Sequence, residues 1–232
     1  MGHCRRGSGD PRERILANFR ESYLGQAWLV LILALVFGGT LAGVHVGLQD
    51  RIEANLRAET LSRIPELLFG SRMGDEAQVV LLDDTLQVQM TGESKLELRV
   101  AEQVIAGHQV FEVTEKIGGA RLGWVARGSG QGYADLIELL VGLDADGSEI
   151  TGLYVLSQKE TPALGDGITR RDFRSRFVGA AAHRPVAVAK VESIAAADPS
   201  RILALTAATI SSQSVCDIVN RTVADIRPEI QQ

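Results

Sequence analysis

The sequence predicts a membrane-anchored α+β protein, with a single N-terminal transmembrane helix followed by an extracytoplasmic domain. Three observations predict it: a long uncharged apolar segment near the N-terminus, short β-type runs in the middle, and an amphipathic helix near the C-terminus. At 232 residues the chain is long enough for one ordinary domain plus an appendage. We divide it into a tail (1–23), a transmembrane helix (24–49), a helical juxtamembrane linker (50–70) and the domain (71–232).

The apolar segment runs from Trp28 to Leu48 and contains no Asp, Glu, Lys or Arg in 21 residues. A helix of this length spans about 31 Å, which matches the hydrocarbon core of a bilayer. A cleaved signal peptide is the alternative, but its apolar region is shorter and ends at a small-residue cleavage site. The segment therefore predicts an uncleaved anchor, with Trp28 at the interface.

Charge is distributed unevenly on the two sides of this segment. Residues 1–23 carry five arginines and three acidic residues, a balance of +2, within a chain of net charge −5, so the remainder carries −7. Because basic flanks stay on the cytoplasmic side, the tail is expected in the cytoplasm and the domain outside it. In a Gram-negative bacterium this places the anchor in the inner membrane and the domain in the periplasm.

Three glycines recur every four residues on one face of the predicted span: Gly39, Gly43 and Gly47. Small residues allow close approach of another helix in lipid, although glycine is also simply common in membrane helices. If the face is used, the protein docks into a larger membrane complex. His45, near the outer end, is expected to be interfacial rather than a proton relay.

The extramembrane part reads as a helix followed by strands. Residues 51–69 have helical spacing of apolar residues, with Pro65 expected to limit the helix. The runs QVVLL, VIAGHQVFEVTEK and LGWVARG predict strands, and Asp144-Ala-Asp-Gly147 predicts the turn of a hairpin. A short helix is predicted in RRDFRSRFVG, then a strand in PVAVAKVES.

The final helix is the best-defined element and has one apolar face. Ser211 or Ser212 is expected to cap its start, Pro228 to follow its end, and Thr209 to lie just before its N-terminus. Free backbone N–H groups and the helix dipole favour an anion there, and the small neighbours leave room for a phosphate. A plain capping loop would show the same pattern, so both interpretations stay open. The residues of the apolar face are Val215, Ile218, Val219, Val223 and Ile226.

Several classes of function are disfavoured by what the sequence lacks. The net charge gives no indication of nucleic-acid binding, and no glycine fingerprint for NAD follows a strand. The two cysteines, Cys4 and Cys216, cannot form a disulfide framework or a metal site, and Cys216 is expected to pack on a helix. The four histidines are scattered without metal-ligand spacing.

Three blocks of sequence resemble periplasmic FMN-binding domains. Thr206-Ala207-Ala208-Thr209-Ile210-Ser211 is similar to their Ser/Asp-Gly-Ala-Thr-x-Ser/Thr motif, and VLSQKETPALGDGI to their His-Lys-Glu-Thr-Pro-Gly-Leu-Gly-Asp segment. GYADLIELLVGLDADGSEITGLYVL resembles the strand and hairpin that precede it. Together with the single span, the blocks cover most of residues 24–226 in family order. Lys159, Asp166 and overall length resemble the G subunit of Rnf/Rsx-type electron-transport complexes more than the C subunit of the sodium-translocating NADH:quinone reductase.

The resemblance implies that the extracytoplasmic domain binds FMN, attached through a phosphoester to Thr209. It also implies an electron-transfer subunit rather than a free-standing enzyme, working with other membrane subunits of an ion-translocating complex. A separate flavin transferase is implied, because no His–Asp pair near Thr209 in sequence activates its hydroxyl. Tyr133 is a further candidate to stack on the flavin. The cofactor-binding residues implied are Thr209, Thr206, Ala207, Ala208, Ser211, Glu160, Thr161, Leu164 and Gly165.

The chain departs from the family pattern at three positions. Thr206 is the first motif residue, and alanine replaces glycine at Ala207 and Ala163. Alanine replaces glycine without strain only where φ is negative and the approach leaves room for a methyl group, whereas the acceptor Thr209 itself is intact. The alternative to a flavoprotein is a membrane-anchored scaffolding or binding module that has lost its flavin.

Overall fold

The computed structural model describes residues 23–70, 79–82, 85–89, 95–190 and 198–231. The predicted tail lies outside these residues except for Tyr23, as do the last residues of the strand predicted at 185–193. The chain divides into two compact units, Met1–Asn55 and Leu56–Gln232.

The first described element is a 47-residue helix, α1, Tyr23–Phe69. It contains an uncharged stretch of mean hydropathy 2.3 with none of its residues buried, long and apolar enough to cross a membrane. The expectation that Pro65 limits the helix was wrong, because Pro65 lies inside α1. Leu67, two residues later, is buried against the sheet, and this packing holds the last turn despite the hydrogen bond that proline removes. Gly70, with φ of +48°, follows the end of the helix.

A seven-stranded antiparallel sheet follows, in which each strand pairs with its neighbours in sequence. The predicted run VIAGHQVFEVTEK is not one strand, since a turn at Ala106 and Gly107 divides it between β3 and β4. β2 and most of β3 were not foreseen from the sequence. The strands are β1 Val79–Leu82, β2 Thr85–Gln89, β3 Lys95–Ile105, β4 His108–Glu115, β5 Arg121–Gln131, β6 Leu136–Leu143 and β7 Ile150–Ser157.

The predicted hairpin between β6 and β7 is confirmed. The Asp144 carboxylate accepts hydrogen bonds from the Ser148 backbone N–H and the Ser148 hydroxyl, both at 2.6 Å. Gly147 has φ of +65°, which the turn requires and which glycine adopts without strain.

The chain after β7 forms short elements and then the long C-terminal helix. Helix α2, Arg171–Arg174, lies between 3₁₀ turns at Gly165–Thr169 and Ser175–Phe177, which confirms the predicted short helix. β8, Ala187–Ala189, pairs in parallel with β9, Arg201–Leu203, a strand that the sequence did not indicate. Helix α3 spans Thr209–Ile230.

Pro228 lies inside α3, so the expectation that it follows the helix end was wrong. Proline leaves the carbonyl of residue 224 without its helical donor. Ala224 is exposed, so water can donate the missing hydrogen bond to its carbonyl oxygen. Buried Ile226 and Ile230 hold the last turns on the domain.

The core lies on both faces of the sheet. On β5, Trp124 and Ala126 belong to the cluster shared with α3, whereas Val125 between them belongs to the cluster shared with α1. The alternation follows the two-residue period of a strand. All five residues of the predicted apolar face of α3 are buried, and this prediction is confirmed.

Two glycines opposite each other on β6 and β7 form the seat of α1. Gly142 pairs with Gly152. A Cβ at Gly152 would lie 2.6 Å from the Leu67 carbonyl oxygen and 2.9 Å from its Cα, and a Cβ at Gly142 would lie 3.0 Å from that oxygen. The end of α1 reaches the sheet because neither position has a side chain.

Cys216 packs as a small apolar residue on α3, as expected, and is fully buried. Burial raises the pKa of its thiol to about 12. Because only the thiolate reacts, the fraction of reactive sulfur falls by roughly three orders of magnitude. In a Cys4→Ser background we expect no labelling by a disulfide reagent at pH 8 in the folded protein, and one equivalent in urea. Rapid labelling without urea would contradict this packing.

Candidate functional site

Helix α3 begins at Thr209, with Ala208 as its N-cap residue, and among the described residues no side chain caps it. The expectation that Ser211 or Ser212 caps the helix was wrong. The Ser212 hydroxyl donates to the Ala208 carbonyl and accepts from the Leu205 backbone N–H, which fixes the turn before the helix. Thr209 is thus the first helical residue instead of the residue before it, and the first-turn N–H groups stay available to an anion.

The turns at Ala207 and Ala163 require left-handed backbone. Both alanines have φ of +62°, a conformation that glycine adopts without strain and alanine does not. The chain retains the left-handed turn for which the family pattern has glycine. An L-residue in this conformation costs about 1–2 kcal/mol.

Replacing Ala207 by glycine should therefore stabilise the domain. Relief of the left-handed strain exceeds the extra entropy of glycine in the unfolded chain, and we expect a gain of about 0.5–1 kcal/mol. Ala163→Gly should act alike. Urea unfolding measures the change, with the helical and exposed Ala224→Gly as the control that should lose stability. A loss of stability in Ala207→Gly would show that the turn is not left-handed.

Thr209 lies in a cleft of about 570 Å³ between α3 and the segment after β7. The Thr209 side chain is half-buried, and its hydroxyl has no hydrogen-bond partner among the described residues. Of the nine residues implied by the resemblance, seven line the cleft, whereas Thr206 and Glu160 do not. The lining is Tyr133, Thr161, Leu164, Gly165, Ala207, Ala208, Thr209, Ile210 and Ser211.

Three large apolar side chains line the cleft together with Thr209 and remain exposed to solvent. Tyr133 is 63% exposed, Ile210 58% and Leu164 43%. Ile210 was not singled out from the sequence, although an apolar residue off the buried face of α3 is the signal that would have found it. Exposed apolar surface grouped around a polar centre is typical of a ligand site.

Glu160 lies beneath the cleft, not in it. Its side chain is buried, with one carboxylate oxygen accepting from the Ser211 hydroxyl at 2.6 Å and the other from the Ala134 backbone N–H at 3.1 Å. Gly165 packs against this pair, since a Cβ there would lie 2.9 Å from the Ser211 Oγ. Glu160 thus joins three segments that carry cleft residues.

Removing the Glu160 carboxylate should loosen all three segments. Glu160→Ala leaves the buried Ser211 hydroxyl without an acceptor and removes the acceptor of the exposed Ala134 N–H, and we expect a loss of about 1–3 kcal/mol in the free energy of unfolding. Glu160→Gln keeps an amide oxygen and should lose less. Urea titration measures both, with the exposed Glu229→Ala as control. Equal stability of the Glu160→Ala and Glu229→Ala variants would contradict the buried position of Glu160.

The cleft carries no charged side chain among the described residues that line it. The nearest ion pair in sequence, Lys159 with Asp135, has exposed side chains at 3.4 Å. The Leu136 backbone N–H, and secondarily Lys159, lower the pKa of Asp135. An anion in the cleft therefore depends on the N-terminus of α3.

The region that contains the cleft matches the model of a known family. Residues 132–224 match the FMN-binding domain, a range that contains every residue lining the cleft. Over 165 residues the chain is 31% identical to the G subunit of the ion-translocating oxidoreductase complex of Shewanella baltica, covering 69% of this chain and 70% of that protein. The chain belongs to this G-subunit family.

Other members of the G-subunit family are similar over different lengths. The G subunit of the ion-translocating oxidoreductase complex of Methanosarcina acetivorans is 35% identical over 102 residues, which are 44% of this chain and 50% of that protein. The match thus spans half the length of that relative. The G subunit of the proton-translocating ferredoxin:NAD(+) oxidoreductase complex of Clostridium ljungdahlii is 28% identical over 156 residues, 67% of this chain and 77% of that protein.

One solved structure that is similar to this chain is the C subunit of the Na(+)-translocating NADH-quinone reductase from Parabacteroides distasonis. It is 19% identical, with a TM-score of 0.42 over 68% of this chain and 78% of that one.

The Thr209 cleft of the present chain fits FMN. Its volume lies in the range of about 300–1,000 Å³ that is usual for small-molecule sites. The uncapped N-terminus of α3 suits a phosphate, and the exposed Tyr133, Leu164 and Ile210 suit an apolar ring. The left-handed turn at Ala207 presents backbone to the cleft with only a methyl group on it.

Proposed function

We propose that the chain is the electron-carrying subunit of a membrane-bound, ion-translocating oxidoreductase complex linked to ferredoxin and NAD, with FMN joined to Thr209 through a phosphoester. One observation carries the proposal. Thr209 lies at the uncapped N-terminus of α3, within the residues that match the FMN-binding domain. Among the described residues that line the cleft at this helix end, only Thr209 has a hydroxyl without a hydrogen-bond partner. The names of the relatives from C. ljungdahlii and S. baltica support the complex and its ion translocation.

Each part of the cleft has a distinct role toward the cofactor. FMN supplies reversible electron transfer when bound. Thr209 holds the phosphate, and the backbone N–H groups of the first turn of α3 neutralise its remaining charge. Tyr133, Leu164 and Ile210 hold the ring and exclude water from it. The side chains of Thr161 and Ser211 are polar contacts at the wall, and Glu160 holds that wall in place.

The neutral lining of the cleft supports a phosphoester rather than free FMN. A terminal phosphate carries close to two negative charges at neutral pH, whereas a phosphodiester carries one. No lysine or arginine lines the described cleft, and a helix N-terminus alone offers about half a positive charge. The single charge of a diester is therefore the better match.

Attachment of the cofactor requires a separate flavin transferase. A threonine hydroxyl is a weak nucleophile and needs an adjacent base. Among the described residues that line the cleft, none is His, Asp, Glu or Lys, and Glu160 is buried with both oxygens hydrogen-bonded. The transferase supplies the missing base, which takes the hydroxyl proton, and an activated flavin, whose phosphorus loses its leaving group as it bonds to the Thr209 oxygen.

The anchor places the domain among other membrane subunits of the complex. The N-terminus lies in the cytoplasm, α1 crosses the bacterial inner membrane once, and the FMN domain lies in the periplasm. Gly39, Gly43 and Gly47 support docking to another membrane subunit, because a Cβ at any of them would meet nothing within 4 Å. A reporter fused after Gln232 should be active only outside the cytoplasm, and cytoplasmic activity would overturn this orientation.

Intact-mass measurement tests the proposed cofactor. Protein produced in a bacterium that expresses a flavin transferase should be heavier by the mass of one FMN less one water, and should give a fluorescent band under ultraviolet light on a denaturing gel. Fully matured protein without this mass would overturn the proposal in favour of the flavin-free scaffolding module. FMN together with sodium-dependent quinone reduction by the purified complex would instead favour the C-type subunit.

A further inference from the structure

A second cavity lies at the other end of α3. Its volume is about 480 Å³, and it is formed by the chain around residues 182–185, by Ile150 at the start of β7 and by the last turns of α3. Arg227, which lines it, is 18 positions after Thr209, so the two sites are about 27 Å apart along the helix. No lining residue is shared with the Thr209 cleft.

Arg227 has an unpartnered guanidinium in this cavity. Its Nε atom is fully buried without a hydrogen-bond partner, and no ion pair reaches its side chain within the described part of the chain. Arg184, on the same cavity, differs because it pairs with Asp198 at 3.5 Å. A buried donor on a charged group without an acceptor is strongly unfavourable, so the position calls for an anion.

Among the described residues that line the cavity, none forms a hydrogen bond with the Arg227 side chain. Of its described lining residues, none is Asp or Glu, and Arg227, unlike Arg184, has no ion pair. The Asn220 amide is occupied, because its oxygen accepts from the Val186 N–H and its nitrogen donates to the Val186 carbonyl, both at 2.8 Å. The Gln231 amide nitrogen donates to the Asp146 carbonyl at 3.1 Å.

Apolar side chains form the rest of the wall. Ile150, Val219 and Val223 line it from the core, and Ala182 and Ala224 from its edges. A single unneutralised guanidinium against such a wall matches a ligand with one acidic group and an apolar body. The volume is in the usual range for a small molecule.

We propose that this cavity binds a small organic anion, whose carboxylate or phosphate pairs with the Arg227 guanidinium and whose apolar part lies against Val219 and Val223. An arginine fork accepts both groups in the same two-bond geometry. Bound anion neutralises Arg227 and joins the end of α3 to the segment at His183. The site does not depend on FMN or on Thr209.

Calorimetric titration of the full chain in detergent tests the site with three probes: inorganic phosphate, hexanoate and hexyl phosphate. We expect saturable binding of hexyl phosphate, hexanoate or both, at least tenfold weaker in Arg227→Gln. Arg221→Gln is the matched control, since Arg221 is an exposed arginine of α3 outside the cavity, and it should bind like the unmodified chain. Hexanoate binding alone assigns a carboxylate ligand, and hexyl phosphate binding alone a phosphate.

Two further outcomes decide against the site. The proposed site is overturned if none of the three probes binds saturably at millimolar concentration. It is also overturned if a probe binds and Arg227→Gln leaves that binding unchanged. For inorganic phosphate, unchanged binding would indicate the N-terminus of α3 as the binding site. Arg227→Lys controls for misfolding of the Arg227→Gln variant, because lysine keeps the positive charge but lacks the two-donor geometry of the guanidinium. It should bind the probe with an affinity between those of the unmodified chain and Arg227→Gln. Neither overturning outcome changes the FMN mass, so failure here is distinguishable from failure of the proposed function.

Discussion

Thr209→Val should abolish covalent attachment of FMN and reduce the fluorescence of the denatured band to background. Valine keeps the shape and the β-branch of threonine, so α3 should begin as before, but it has no oxygen to form the ester. Thr209→Ser keeps the oxygen and should retain the FMN mass. The measurement is the intact mass of the unmodified chain and of both variants, each expressed together with a flavin transferase.

Thr206→Val is the matched control for this result, since Thr206 is exposed in the same turn and does not line the cleft. It should carry FMN like the unmodified chain. An FMN mass that persists in Thr209→Val would place the attachment elsewhere. Loss of the mass in Thr206→Val with retention in Thr209→Val would identify Thr206 as the acceptor.

Gly152→Ala should destabilise the domain by about 1–3 kcal/mol, because it forces a methyl group into the seat of α1. The new Cβ would lie 2.6 Å from the Leu67 carbonyl oxygen, and the backbone atoms there cannot yield as a flexible side chain would. The helix must move away from the sheet, which exposes part of the cluster around Ile64 and Leu67. Urea unfolding of the full chain in detergent measures the loss.

Gly118→Ala is the control for this prediction. A Cβ at Gly118 would meet only the end of the Glu115 side chain, at 2.7 Å, and that side chain is free to turn away. We expect its stability to change by less than about 0.5 kcal/mol. Similar losses in Gly118→Ala and Gly152→Ala would show that α1 does not depend on this seat.

Elements with a strong local pattern were predictable from the sequence. The uncharged segment, the Asp144 hairpin and the apolar face of α3 were each confirmed. β2 and most of β3 were missed, although Leu96, Leu98 and Val100 alternate with Glu97 and Arg99 in the two-residue period of a half-buried strand. The boundary errors at Pro65 and Pro228 share a cause, since packing against the sheet sustained both helix ends against the local effect of proline.

The candidate site was predictable only in part, and resemblance rather than local physics singled out Thr209. Residues 160–165 were expected to touch the cofactor, but the depth of Glu160 depends on Ser211 and Ala134, which are far from it in sequence. The left-handed backbone at Ala163 and Ala207 contradicts what an alanine indicates locally. The unpartnered guanidinium of Arg227 becomes visible only when α3 is packed against residues 182–185.

The order of the strands has a consequence for how the protein matures. Every strand of the sheet pairs with the one synthesised just before it, so its hairpins can form one after another with short loop closures. The cleft, in contrast, needs residues 133, 161–165 and 207–211 together. A chain in which residues 207–211 are not yet in place has a nearly finished sheet but no cleft, so under the proposed covalent attachment a flavin transferase that recognises the cleft acts only after α3 has packed.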